Sequence, residues 1–196
     1  MSRTTLRQLN KFDDAPAPLA DSTLIMVDYQ NTYTTGVMEL DGWEAALEAA
    51  AGLLAQAREA GATVVHVIND GGEGTPYDIR AEIGQIHPAV APIEGEAVVV
   101  KQVPDAFVDT DLGNLVDAAG NDNLVIAGFM THMCVAFTTQ GAFLRSNRAT
   151  VVANACATRS LPVAGADLDA CQVHYGALAT IGDLFGVVVA NAKELN

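Results

Sequence analysis

Short apolar runs rich in β-branched residues alternate along this chain with longer Ala- and Leu-rich stretches. That alternation is typical of α/β proteins. Most of the runs are almost continuously apolar, as strands are in a parallel sheet that is covered on both faces. We therefore predict six parallel strands, over residues 23–28, 63–68, 97–101, 124–127, 150–153 and 186–189.

The stretches between these runs have the apolar spacing of helices. Asp41 and Glu44 resemble a capping box at the start of a helix that ends at Gly61. Its predicted apolar face consists of Ala45, Leu47, Ala50, Leu53, Leu54 and Ala57. We expect a second helix between Thr110 and Gly120, a third over 133–147 and a fourth over 168–181.

Together these elements predict a three-layer αβα, Rossmann-like fold around a six-stranded parallel sheet. We expect a single domain over residues 1–196, whose first 22 residues form an arm packed on the surface or on a neighbouring subunit. In the commonest topology, with strand order 3-2-1-4-5-6, the ligand crevice lies beyond the carboxyl ends of the strands. Polar residues at strand ends are therefore candidates for chemistry.

Composition narrows the class of protein. Half of the 196 residues are apolar, enough for a compact core. The net charge of -14 argues against nucleic-acid binding, which needs Lys and Arg on phosphates. No apolar run is long enough to span a membrane, and the first 22 residues lack the hydrophobic block of a secretory signal. With three cysteines and no CxxC spacing, we expect a cytoplasmic protein with free thiols.

Cys134 is a candidate nucleophile. It follows the strand over 124–127 and is expected in the first turn of the next helix, where free backbone N–H groups and the helix dipole lower the pKa of a thiol. The same N–H groups can stabilise an oxyanion. The alternative is a small buried apolar residue, which is what we expect of Cys156 and Cys171.

Two strand ends carry charged residues. Asp28 closes the first strand and faces the expected crevice, although an acid at this position also commonly caps a turn. Lys101 closes the third strand, where it is either a solvated strand end or an ammonium that stabilises a thiolate. The four histidines lack zinc-site spacing, so we predict no metal, and the Gly-rich segment 70–74 is expected to be a mobile loop rather than a phosphate site.

Three sequence blocks resemble the isochorismatase-like cysteine hydrolases in order and spacing: LIMVDYQ, KQVPDAF and GFMTHMCVAFTTQGA. The resemblance implies a catalytic triad of Asp28, Lys101 and Cys134. It also implies a cis peptide between Phe129 and Met130, so that the N–H groups of Met130 and Cys134 form an oxyanion hole. The substrate-binding residues it implies are Gln30, Tyr33, Asp105, Phe107, Thr131 and Phe137. The alternative for Thr131 is that its hydroxyl supports the turn. The alternative for Phe107 and Phe137 is that they belong to the core.

The function implied by this resemblance is hydrolysis of an amide or ureido C–N bond of a small molecule through a thioester on Cys134, without a cofactor. The partners expected are a small-molecule substrate and further copies of the chain, as a dimer or tetramer, and neither nucleic acid nor membrane. Nicotinamide is disfavoured because no histidine follows Asp28 closely. The alternatives are an isochorismatase-type hydrolase of an ether or ester bond, and a non-catalytic binding protein of the same fold.

Overall fold

The computed structural model describes residues 3–195. Its main sheet has six strands, all parallel, in the order β3-β2-β1-β4-β5-β8. This confirms the predicted three-layer αβα architecture and the predicted strand order. The strands are β1 (Thr23–Val27), β2 (Thr63–Asn69), β3 (Ala97–Lys101), β4 (Asn123–Gly128), β5 (Arg148–Val152) and β8 (Gly186–Val189).

A short antiparallel hairpin lies outside this sheet and was not predicted. It pairs β6 (Leu161–Val163) with β7 (Ala166–Leu168). Each strand has only three residues and is largely exposed, so it lacks the apolar run by which the other strands are recognised.

Residues 3–195 contain five α-helices, the first in the N-terminal arm and the other four between strands. They are α1 (Leu6–Leu9), α2 (Trp43–Glu59), α3 (Leu112–Ala119), α4 (Ala136–Leu144) and α5 (Ala170–Thr180). Single π-helical turns precede α4, over Thr131–Val135, and follow α5, over Ile181–Phe185. Right-handed crossovers place α2 on one face of the sheet and α3, α4 and α5 on the other, which buries β1 completely.

The predicted start of α2 is wrong in detail. The residue before the helix is Gly42, with a φ of 71°, and no side chain caps the helix there. The backbone N–H of Asp41 donates instead to the carbonyl oxygen of Thr158. Because the helix enters through this left-handed glycine, Ala46 rather than Ala45 faces the core.

The described part of the N-terminal arm, residues 3–22, packs on its own molecule. The Leu6 N–H donates to the Asp183 carboxylate at 3.0 Å. Asp13 forms an ion pair with Arg148 at 2.8 Å, at the start of β5. The arm therefore lies at the amino end of the sheet, away from the edge at which β1, β3 and β4 end.

Candidate active site

Three charged or nucleophilic side chains meet at the carboxyl edge of the sheet. Asp28 follows β1, Lys101 ends β3, and Cys134 lies in the π-helical turn after β4. The Lys101 Nζ is 2.7 Å from the Asp28 Oδ2 and 3.3 Å from the Cys134 Sγ. Since crossovers leave β1 and β4 in opposite directions, Asp28 and Cys134 lie at the point where ligands bind in this class of sheet.

Lys101 crosses two strand spacings to reach Asp28. In the sheet Lys101 lies opposite Asn69 on β2, and β2 separates β3 from β1. Its side chain leans inward over the end of β2 and is completely buried. On the way its Nζ donates to the Asn69 Oδ1 at 3.3 Å. Asn69 is a site residue that the sequence analysis missed, although its place at the end of a buried strand could have indicated it.

Gln30 fixes Asn69 in turn. The Gln30 side-chain amide donates to the carbonyl oxygens of Asn69, at 2.9 Å, and Gly84, at 2.7 Å. Its Oε1 accepts from the Asn69 N–H at 2.9 Å. Gln30 was predicted to bind substrate; in the structure its amide is buried and engaged by backbone groups, and it ties the ends of β1 and β2 together beneath Lys101.

Burial dominates the electrostatics of this cluster. It raises the pKa of Asp28, although the charge of Lys101 opposes the shift, and it raises the pKa of the Cys134 thiol to about 12, with the charge of Asp28 adding to the effect. Burial also lowers the pKa of Lys101, but the charges of Asp28 and Cys134 outweigh it, so the net shift is upward. The expected lowering of the Cys134 pKa is therefore wrong, because the thiol is shielded from water and faces a carboxylate.

The Asp28 carboxylate is held by charge rather than by aligned hydrogen bonds. Its two oxygens are buried, and among residues 3–195 neither has a partner with hydrogen-bond geometry, although the Lys101 Nζ lies 2.7 Å from Oδ2. Its backbone is left-handed, with a φ of 53°, which turns the chain out of β1. Non-glycine residues adopt this conformation at a cost of about 1 kcal/mol or more, and such residues cluster at functional sites.

The turn between β4 and Cys134 contains the cis peptide that the resemblance implied. The peptide between Phe129 and Met130 is cis. Within residues 3–195, the Met130 N–H has no hydrogen-bond acceptor. Gly128 precedes this turn where β4 passes close to β1, and a Cβ there would lie 2.1 Å from the Val27 carbonyl oxygen. Glycine is therefore the only residue that fits at this position.

Two tyrosines border the cluster. Tyr33, predicted to bind substrate, is buried and packs edge-on against Phe129 and Tyr77, at ring distances of 5.8 Å in both cases. Burial raises the pKa of both tyrosines, and the charges of Asp28 and Cys134 raise it further. Tyr77 comes from the loop after β2, three residues beyond the Gly-rich segment 70–74 that was predicted to be mobile, and nothing in its local sequence indicated the site.

Thr131 is fully buried beside the turn. Its N–H and its hydroxyl both donate to the Ala157 carbonyl oxygen, at 3.0 and 3.2 Å, and its Oγ1 also contacts the His174 Nδ1 at 2.9 Å. The neighbouring His132 Nδ1 lies 2.5 Å from the Thr158 Oγ1. These contacts match the alternative in which the Thr131 hydroxyl supports the turn. They also place Ala157 and Thr158 alongside the residues that precede Cys134.

The remaining predicted substrate-binding residues lie beside α4. Asp105 accepts from the Phe107 N–H at 2.9 Å, and its carboxylate lies against Gly141, two helical turns beyond Cys134. The Phe107 ring stacks under the Arg145 guanidinium at 5.3 Å. Phe137 is 45% exposed on α4. None of the three forms a hydrogen bond or ion pair with the triad residues, and their roles in substrate binding stay predictions.

Two kinds of feature, a metal-ligand cluster and a membrane-spanning helix, are absent from the described residues. Among residues 3–195, no three His, Cys, Asp or Glu side chains are grouped as metal ligands would be. In the same residues, no helix has the length and apolar character needed to cross a membrane.

Comparison with known proteins gives the class of this protein. Residues 22–189 match the Isochorismatase domain family model. A crystal structure of an isochorismatase from Pseudomonas putida is 34% identical and superposes with a TM-score of 0.96, over 100% of both chains. The family match, together with relatives that are named as hydrolases, makes this protein a hydrolase. The chain belongs to the isochorismatase family.

Two curated relatives extend this comparison. The chain is 31% identical to a secreted isochorismatase effector of Verticillium dahliae, over 98% of this chain and 100% of the relative. It is 34% identical to a maleamate amidohydrolase of Pseudomonas putida, over 82% of this chain and 83% of the relative. The family therefore includes proteins named for different hydrolytic reactions.

Proposed function

We propose that this hydrolase is a cysteine amidohydrolase that cleaves an amide or ureido C–N bond of a small molecule through a thioester on Cys134. The observation that carries the proposal is the buried Lys101 ammonium in contact with both the Asp28 carboxylate and the Cys134 thiol. A thiol beside a base is the arrangement that nucleophilic catalysis requires. The similarity to a maleamate amidohydrolase supports the choice of a C–N bond.

The first half of the reaction forms the thioester. Asp28 takes the proton of the Cys134 thiol while the sulfur attacks the carbonyl carbon, and the carbonyl oxygen becomes an oxyanion. When the tetrahedral intermediate collapses, the C–N bond breaks and the leaving nitrogen takes the proton from Asp28. Ammonia or an amine departs, and the acyl or carbamoyl group stays on sulfur.

The second half releases the product. Asp28 accepts a proton from water as the water oxygen attacks the thioester carbon. Collapse of the second tetrahedral intermediate breaks the C–S bond, and the sulfur recovers a proton from Asp28. The products are a carboxylic or carbamic acid and the free thiol, so atoms and charges balance over the cycle.

Each neighbouring group has a part in this scheme. The N–H groups of Met130 and Cys134 donate to the oxyanion, which is consistent with a Met130 N–H that lacks a partner within the described chain. Lys101 stays protonated and offsets the charge of Asp28. Because the pKa of Asp28 is raised, it is closer to the pKa of the thiol whose proton Asp28 takes. A smaller difference between the two pKa values improves proton transfer.

Turnover of a panel of primary amides and ureides, followed as ammonia release, tests this function. We expect Cys134→Ala to lower kcat by about 10³-fold or more, because the nucleophile is lost. The matched control is Cys171→Ala, at an exposed thiol on α5, which should behave as the wild type. Equal rates in Cys134→Ala and the wild type would contradict the covalent mechanism. Wild-type activity confined to ether or ester substrates would favour isochorismatase-type chemistry instead.

A further inference from the structure

A cavity lies at the amino end of the sheet, at the opposite edge from Cys134. It has a volume of about 650 Å³ and lies between the N-terminal arm and the residues at the start of β4, β5 and β8. Asn123 and Arg148, the first residues of β4 and β5, both line it. Because β4 is six residues long, the cavity is about 15 Å or more from the active site. Its volume is within the range of small-molecule sites.

One wall of this cavity consists of three phenylalanine rings: Phe12 of the arm, Phe143 of α4 and Phe185 before β8. The Phe143 ring packs edge-on against Phe185 at 5.6 Å and against Phe12 at 6.2 Å. None of the three belongs to the main hydrophobic core of residues 3–195, and each is partly exposed. The wall is therefore an apolar surface on which a planar ring packs well.

The rim of the cavity is positively charged, although the chain has a net charge of -14. Three basic residues line the cavity, Arg7, Lys11 and Arg148, and one acidic residue, Asp13. The Arg7 guanidinium is held by the Asp14 carboxylate at 2.8 Å. Lys11 forms no ion pair with residues 3–195.

Arg148 has N–H groups to spare. It contacts Asp13 at 2.8 Å through Nη2, and the two side chains are 51 and 62% exposed. Exposed ion pairs of this kind contribute little to stability. Within residues 3–195, the Nε and Nη1 of Arg148 have no acceptor. These N–H groups and the Lys11 ammonium are therefore available to an anion in the cavity.

A buried polar side chain in the wall also lacks a partner. Asn147 is 9% exposed and lines the cavity next to Arg148. Its Oδ1 is buried and accepts no hydrogen bond from residues 3–195. A buried amide without a partner destabilises a fold, so the fold gains little from it. A half-turn of the amide exchanges its oxygen and its N–H groups, which allows it to donate to a bound molecule.

We propose that this cavity binds a small aromatic carboxylate. The ring packs on the phenylalanine wall, and the carboxylate is bound by Arg148 and Lys11 with the Asn147 amide beside them. A planar guanidinium matches a carboxylate through two parallel N–H···O bonds. Two available cations beside one acid suit a single negative charge. The proposal goes beyond the amidohydrolase function and does not rest on it, since the cavity shares no residue with the triad.

Calorimetry on the full wild-type chain tests the proposal, with phenylacetate as the probe. Two matched probes each lack one feature: 2-phenylethanol has no charge, and hexanoate has no ring. We expect phenylacetate to bind at one site per chain, and the two matched probes to bind at least about tenfold more weakly. No saturable binding of phenylacetate, or equal affinities for the three probes, would overturn the proposal.

Substitutions locate the bound probe. Lys11→Gln combined with Arg148→Gln should weaken phenylacetate binding by at least about tenfold. The matched control combines Lys193→Gln with Arg80→Gln, because Lys193 is exposed, the Arg80 side chain is 52% exposed and neither lines the cavity. Both double variants change the net charge equally. Equal affinities in the two double variants would show that the probe binds elsewhere and would overturn the proposal.

Asp13→Asn separates charge recognition from anchoring of the arm. This substitution removes the ion pair with Arg148, as the double variant does, but leaves the guanidinium in place. We expect Asp13→Asn to bind phenylacetate at least as tightly as the wild type, because a competing carboxylate is lost. Binding as weak as that of Lys11→Gln with Arg148→Gln would show that the arm, and not the charge, governs affinity, and would contradict the proposal.

Asn147→Leu tests the part played by the buried amide. The variant should bind phenylacetate several-fold more weakly, while its Tm without ligand is no lower than that of the wild type. The reason is that an apolar side chain of similar size replaces an amide without a partner. A lower Tm with unchanged affinity for phenylacetate would contradict the role assigned to Asn147.

Discussion

At the level of single residues, a thiol, a carboxylate and an ammonium share a space from which water is excluded. Asp28 and Lys101 are 0 and 1% exposed, and Cys134 is 6% exposed. Burial of this extent makes the neutral thiol the resting form of Cys134, with its pKa raised to about 12. In the proposed mechanism, deprotonation then accompanies attack on the substrate, and Asp28 accepts the proton.

Alkylation by iodoacetamide near neutral pH should reflect this resting state. We expect the exposed Cys171 to react first, and Cys134 and Cys156 to react slowly because both thiols are buried and have a pKa of about 12. Mass spectrometry of digested protein at successive times would give the three rates, with Cys171→Ser as the control for assignment. Faster labelling of Cys134 than of Cys171 would show that its thiolate is already present.

The pH dependence of kcat/KM should report the protonation of Asp28. The proposed mechanism requires the carboxylate, and burial raises its pKa above the ordinary value of 3.8, so the acid limb should lie above pH 3.8. Lys101 lowers the pKa of Asp28, and the residual activity of Lys101→Met should therefore have its acid limb at higher pH. An unchanged limb, or one moved to lower pH, would contradict the role assigned to Lys101.

The sequence predicted the residues of the cluster better than its electrostatics. Asp28, Lys101 and Cys134 were recognisable because each follows or ends an apolar strand and lies in a motif. The shift of the thiol pKa was predicted in the wrong direction, since helix position is visible in a sequence and the degree of burial is not. Tyr77 was missed because its place depends on how the loop after β2 folds back over the site.

At the level of elements, the close contact between β1 and β4 depends on one glycine. A Cβ at Gly128 would lie 2.1 Å from the Val27 carbonyl oxygen and 2.7 Å from the Val27 Cβ. Both strands are buried along almost their whole length, so neither has room to move apart. The same contact leads directly into the turn that carries Met130 and Cys134.

Gly128→Ala should therefore destabilise the protein by about 3 kcal/mol, the upper part of the range for an overpacked core. Gly52→Ala is the matched control, since a Cβ at this exposed position of α2 would contact nothing and alanine favours a helix by about 0.5 to 1 kcal/mol. Urea unfolding measures both changes. Equal stability of the two variants would contradict the close approach of β1 and β4.

Elements with a strong apolar pattern were predicted well. Strands β3 and β8 agree at both ends with the predicted ranges, and the remaining four differ by one or two residues at one or both ends. The hairpin of β6 and β7 was missed, because its exposed residues carry no alternation. The start of α2 was wrong because Gly42, rather than the acid before it, directs the chain into the helix.

At the level of the whole molecule, Glu96 joins parts of the fold that are distant in sequence. Its carboxylate contacts Arg58 on α2 at 2.7 Å and His66 on β2 at 2.9 Å, and accepts from the Ile93 N–H at 3.0 Å. Although burial opposes the shift, these hydrogen bonds lower the pKa of Glu96 from 4.5 to about 2. A carboxyl whose pKa is lowered by folding stabilises the fold at pH values above the pKa that it has in the unfolded chain. That stabilisation is lost as the pH falls through the pKa of the folded state.

Glu96→Gln should accordingly lower the free energy of unfolding by about 3 kcal/mol at neutral pH. The difference from the wild type should shrink between pH 4.5 and pH 2, where the wild-type carboxyl takes up its proton. Urea unfolding at a series of pH values provides this measurement. A difference that is independent of pH would show that charge on Glu96 contributes nothing to stability.

The assembly of the protein stays a prediction. We expect a dimer or tetramer in solution, and sedimentation velocity on the full chain would give its mass directly. A mass equal to the 20.4 kDa of one chain over a range of concentrations would contradict this expectation. The proposed Cys134 mechanism does not depend on the outcome, since Asp28, Lys101 and Cys134 come from one chain.

The central claim is that Cys134 becomes covalently acylated, and mass spectrometry of acid-quenched enzyme tests it most directly. Wild-type protein mixed with a substrate found in the amide and ureide panel should gain the mass of the acyl or carbamoyl group, and peptide mapping should place that mass on Cys134. The adduct should be absent from Cys134→Ala. Turnover accompanied by an adduct on a different residue, or by wild-type rates in Cys134→Ala, would contradict the account.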